Sequence, residues 1–260
     1  MSTSRCLPGI AACAFAVLLV QSSSRVAASV DIAGRIVDRD SGAPIAGAAI
    51  EARESSVGEI LSTATSDRRG RYVLSLPERV KALIVVTFES GAYAAFHGLF
   101  DPDMSQRFER RIALSRLTND EAAWLQRVNL DREAMHLGVV TMDEAALLSA
   151  RLHAGDMAIR SYFDHADRFG RQPWQRFSSL HGIGGDYENI GRGENATWRD
   201  IENAFVAEGP PKQRGLCTHF TTLFDPRAVW VGLAIVQQGR ALGARVSKTY
   251  FDQELIEYPY

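Results

Sequence analysis

Apolar residues recur with a period near two from Val30 to about Leu117, and with a period near 3.6 from Thr118 onward. In the first stretch Val30–Asp38 alternates, and Asp40-Ser41-Gly42-Ala43-Pro44 is dense in turn formers. Ala48–Ala52 and Ile60–Thr65 read as further strands, then Arg71–Leu76 after the turn Asp67-Arg68-Arg69-Gly70. Ala82–Phe88 and Phe108–Leu114 complete a set of about seven short strands, which predicts an all-β antiparallel sandwich over residues 29–116. In the second stretch Thr118-Asn119-Asp120-Glu121 is a capping box before Trp124, Leu125, Val128 and Met135. Thr141-Met142-Asp143-Glu144 opens another helix, with Ala145, Leu148, Leu152, Gly155 and Ile159 as its stripe. On that reading His153 and Asp156 lie on the solvated side. A short helix carries Trp174 and Phe177, and Thr197-Trp198-Arg199-Asp200 caps one that runs to about Ala207. Phe220–Phe224, Trp230–Gln237 and Lys248–Leu255 read as strands, so residues 117–257 have an α+β order.

Residues 1–28 change the picture of where the chain acts. Arg5, the apolar run Ile10–Val20 and Val26-Ala27-Ala28 have the form of a cleaved signal peptide, and the run is too short to span a bilayer. The expected mature chain is secreted, extracellular or periplasmic, with no transmembrane segment. Cys6 and Cys13 leave with the leader, so Cys217 cannot form an internal disulfide; it reads as a small buried hydrophobe. The formal charge of −2 falls to about −4 once Arg5 and Arg25 are removed, which offers no basic field for nucleic acid.

Candidate chemistry lies between Ser161 and Trp230. His165, Glu188, Glu208 and His219 each stand beside apolar or aromatic residues, as a polar cluster walled by hydrophobic surface would. Two alternatives to that cluster fail. His181-Gly182-Ile183-Gly184-Gly185-Asp186 follows no predicted strand and precedes no Gly-Lys-Ser, so it is not a phosphate loop. No Gly-x-Ser-x-Gly nucleophile elbow is present either. His97, His136 and His181 stand alone, and Trp174, Phe177 and Phe205 read as core.

Two resemblances attach to these residues. Gly34-Arg35-Ile36-Val37-Asp38, Gly42–Ala48 and Thr65–Tyr72 resemble the carboxypeptidase regulatory-like (transthyretin-like) domain, which implies a non-catalytic spacer or adhesion unit. From Val128 to Leu255 the chain resembles the CAP superfamily, also called SCP-like. The matching pieces are Ala150–Ala158, Tyr162-Phe163-Asp164-His165, Pro173-Trp174-Gln175-Arg176, Glu188-Asn189-Ile190, His219–Leu223 and Val231–Ala234. The resemblance implies an α-β-α sandwich and a cavity tetrad of two His and two Glu. By position these are His165, Glu188, Glu208 and His219; Glu194 would leave too little chain before the helix that carries Glu208. Tyr187, Phe205 and Thr218 depart from the residues usual beside the tetrad.

Three functions follow as expectations. The tetrad suits zinc or another divalent metal, in a binding module that also takes a small lipid-like or cell-envelope ligand. With Glu188 or Glu208 polarising a bound water it would be a metal-assisted hydrolase. As a satisfied hydrogen-bond network it would only hold a structural or adhesion protein together.

Overall fold

A computed structural model describes residues 29–54, 59–78, 80–88, 91–101, 111–211, 217–238 and 247–257; the leader segment 1–28 lies outside them. The N-terminal region is built of two sheets. One contains β1 (Ser29–Asp38), β4 (Arg71–Pro77) and β7 (Arg111–Leu114) in the order β4-β1-β7. The other contains β2 (Ala49–Arg53), β3 (Ile60–Thr65), β5 (Ala82–Thr87) and β6 (Phe96–Phe100) in the order β3-β2-β5-β6. Ile36, Leu74 and Ile112 from the first sheet share one core with Ile50, Ile84 and Val86 from the second. The pairing is not wholly antiparallel as expected, because β1 and β7 run parallel. A parallel pair needs a long crossover, and the intervening strands supply it.

The C-terminal region has one sheet in the order β8-β10-β11-β9, formed by β8 (Thr141–Met142), β9 (Gly185–Glu194), β10 (Ala228–Gln238) and β11 (Lys248–Glu257). Helices α2 (Glu144–Arg160) and α3 (Pro173–Ser179) cover one face. Helices α1 (Asn119–Ala134), α4 (Trp198–Ala207) and α5 (His219–Leu223) cover the other. Cross-strand register assigns the faces. Glu254 lies opposite Glu188 and Gln253 opposite Asn189, so Asp186, Glu188, Asp252 and Glu254 point toward α2 while Asn189 and Gln253 point toward α4 and α5. The result is a mixed α/β domain with helices on both sides of its sheet.

The structure corrects the sequence reading at several elements. Thr118 caps α1 in a capping box with Glu121, as the spacing predicts. The α2 cap is Asp143, not Thr141, which is instead in β8. The buried face of α2 is also not the expected stripe. Leu152 and Ile159 are 63% and 81% exposed, whereas Ala146, Ala150, His153, Ala154 and Met157 face inward. Small residues win there because α2 lies very close to the sheet. A Cβ on Gly232 of β10 would collide with the backbone of Ala146, and Ala150 and Ala154 pack on Ala234. Phe220–Phe224, rich in strand formers, is helical because Thr218 caps Thr221 and starts α5. Cys217 and Trp174 are exposed, against the buried positions expected of them, while Phe177 and Phe205 are core.

The two regions meet along a seam. Leu83 of β5 packs with Ala146, Phe177, Trp230 and Ile256. His97 stacks on Trp230 at 3.8 Å and holds the α2 cap, with its Nδ1 2.7 Å from Asp143 Oδ2. Glu144, in the first turn of α2, accepts from the Ser115 backbone N–H at 2.6 Å and hydroxyl at 2.7 Å, and from Arg39 at 2.6 Å.

Candidate functional site

The four expected site residues form two His–Glu pairs. His165, just past the end of α2, places Nδ1 2.6 Å from Glu188 Oε2 of β9. Glu188 is buried, and its other oxygen takes an ion pair from Arg176 of α3. Arg176 also donates to the His165 carbonyl at 2.8 Å, which fixes the loop to the helix. The hydrogen bond that His165 donates to Glu188 raises the pKa of His165 above its ordinary value. On the other face, His219 opens α5 and places Nδ1 2.7 Å from Glu208 Oε1, while its backbone N–H donates to Glu208 Oε2 at 2.9 Å. Phe205 stacks flat on the His219 ring at 4.1 Å and 6°.

Both pairs hang on consecutive residues of β9, the outermost strand of its sheet. Glu188 belongs to the first pair, and Asn189 donates to the His219 carbonyl at 3.1 Å. Asn189 also donates to Gln253, which donates to Glu202 at 2.6 Å, and Trp124 donates to the same carboxylate oxygen at 3.0 Å. A buried polar chain therefore runs beneath His219.

Beneath α2 lies a second cluster that the sequence reading did not assemble. Among the described residues, His153, Glu188 and Asp252 are the group whose ligand atoms all come within 4.8 Å of one another. Asp186 and Glu254 stand beside them, and burial pushes Asp186 up to about 7 and Asp252 and Glu254 well above the usual carboxylate range. Burial also lowers the pKa of His153, which favours neutral imidazole. A cavity of about 210 Å³ opens next to this cluster, with Ser149, His153 and Arg176 in its wall and Leu152, Arg168 and Phe169 among its other lining residues.

Residues 125–251 match the family described as "CAP: Cysteine-rich secretory protein family". They form a CAP domain. No curated protein matches the chain. Among solved structures, the chain is similar to an outer surface protein of Borrelia burgdorferi at 15% identity and a TM-score of 0.44, over 54% of this chain and 94% of that one. It is also similar to an extracellular protein with an SCP domain from Bacillus anthracis at 13% identity and a TM-score of 0.38, over 78% of this chain and 80% of that one.

The CAP domain thus places its expected tetrad as two pairs on either face of β9. The residues missed by sequence reasoning are His153, Arg176, Asp186, Asp252 and Glu254, together with Glu202 under His219. One signal was available for the acidic set. Asp252 and Glu254 stand two apart in a strand that also carries Tyr250, Phe251, Leu255 and Ile256, so the two acids share one face of it. No helix among the described residues is long and apolar enough to cross a membrane.

Proposed function

We propose that the chain is an exported binding module whose CAP domain holds a divalent metal, with zinc as the first choice, at the His165–Glu188 and Glu208–His219 pairs. The observation that carries this reading is the use of Nδ1 by both imidazoles. A histidine whose Nδ1–H is held by a carboxylate has its ring orientation fixed and its Nε2 directed elsewhere, the arrangement that prepares an imidazole for a metal. The donor chemistry fits zinc, and binding at Nε2 releases a proton wherever the ring is protonated. His165 and His219 would be the ligands, with Glu188 and Glu208 orienting them.

Binding is favoured over hydrolysis by the state of the carboxylates. Arg176 and His165 engage the two oxygens of Glu188, and His219 engages both oxygens of Glu208, so neither stands ready as a base. Exposed Leu152 and Phe169, which line the cavity beside the first pair, support a lipid-like or cell-envelope ligand as the second thing bound. The resemblance of the N-terminal sheets to a carboxypeptidase regulatory-like domain supports an accessory role for them, and the leader-like residues 1–28 support export.

The test is zinc stoichiometry and affinity of the purified protein and of His165→Ala/His219→Ala. The parent is expected to bind one zinc equivalent per chain more than the double variant. Equal zinc in both proteins, or none in the parent, would reduce the pairs to a hydrogen-bond network.

A further inference from the structure

We infer that His153, Glu188 and Asp252, backed by Asp186 and Glu254, form a divalent-cation site of their own, inside the domain and independent of the imidazoles of the two rim pairs. The site is a consequence of strand register. Glu188 and Glu254 are directly opposed on β9 and β11, Asp186 and Asp252 flank them on the same face, and α2 lays His153 over the group. Like charges directly opposed across two strands repel, so a sheet that keeps four of them together needs something to neutralise them.

The protein's own groups do not complete that task. Asp252 is fully buried, and neither of its oxygens has a hydrogen-bond partner. Both oxygens of Asp186 are buried without a partner as well. One face of the cluster is closed by Arg176 and His165, which both spend themselves on Glu188. When ionised, the four carboxylates face one permanent cation, Arg176, and the excess of negative charge is what a dication would offset. The Ser149 hydroxyl beside Glu254 adds a neutral donor only.

Donor type narrows the ion. Carboxylate oxygens with a single imidazole suit manganese, which accepts hard oxygen ligands and tolerates nitrogen. Burial favours the neutral form of His153, the form a ligand takes. Its Nε2–H donates to the Asp164 carbonyl at 2.9 Å, so a cation there takes the place of that proton and finds a further oxygen donor close by. The adjoining cavity, walled by Ser149, His153 and Arg176, gives the ion a route in. Protons alone are the competing way to neutralise the cluster.

The experiment is calorimetric titration of the full chain with manganese chloride at pH 8, with Mn²⁺ electron paramagnetic resonance as a second readout. The parent and His165→Ala/His219→Ala should both bind one Mn²⁺ per chain, and Asp252→Asn should bind at least about tenfold more weakly. Asp186→Asn, which leaves all three nearest donors in place, should weaken binding in the same direction and serves if Asp252→Asn does not fold. No Mn²⁺ on the parent would overturn the inference and assign neutralisation to protons. Retention in Asp252→Asn, or loss in the double histidine variant alone, would overturn it too, while leaving the rim pairs as the metal site of the proposed function.

Discussion

Glu202 offers a sharp test of the buried polar chain under His219. Its carboxylate sits between α4 and the sheet, with Trp124 and Gln253 donating to one oxygen and nothing bonded to the other. Burial dominates these two hydrogen bonds and raises its pKa from 4.5 to about 7. A carboxyl raised in the folded state costs nothing below its unfolded pKa, and stability falls as pH rises from about 4.5 through about 7. That rise corresponds to about 3 kcal/mol lost by pH 8. Glu202→Gln keeps the shape and the acceptor oxygen but cannot ionise. Denaturant unfolding of both proteins at several values between pH 4.5 and 8.5 should show them nearly equal at the acid end, with the variant more stable by about 3 kcal/mol at the alkaline end. The acids under α2 also titrate, but they lie on the other face of the sheet and remain in both proteins, so they cancel in the difference. A difference that stays flat across this range would refute the assignment of a neutral, desolvated carboxyl to Glu202.

Two further substitutions probe how the domain is held around its site. Arg132, fully buried, donates to the carbonyls of Gly138, Leu223, Asp225 and Ala228, so Arg132→Met should cost about 3 kcal/mol or more in denaturant unfolding by leaving those acceptors dry. Gly232→Ala would force β10 away from the Ala146 backbone and should cost about 2 kcal/mol or more, read as a lowered Tm; an unchanged Tm would show that α2 can lift without penalty.

What the sequence conveyed, and what it hid, follows from which interactions are local. Capping boxes at Thr118 and Thr197 are chemistry between residues three apart, and the helices begin where those residues stand. Strands with clean alternation, such as Arg71–Pro77, alternate in burial as well. The face of α2 was hidden because a leucine-rich stripe looks like a core face until Gly232, some ninety residues away, dictates an alanine-lined contact. His153 was hidden with it. Strand β9 was hidden because Tyr187-Glu188-Asn189-Ile190-Gly191 shows no hydrophobic alternation: on both faces its partners are polar side chains or helices pressed close to glycine. The resemblance picked out His165, Glu188, Glu208 and His219 as a single set. Their division into two pairs was hidden, since it depends on which side of one strand each partner helix lies.

The seam between the N-terminal sheets and α2 ties the two regions together through the first turn of one helix. Asp143 and Glu144 at the start of α2 are gripped by His97, Ser115 and Arg39, and His153 rides the same helix nine residues further on, about 14 Å along its axis. The helix whose first turn the N-terminal sheets hold is therefore the same one that sets His153 over the acidic strands.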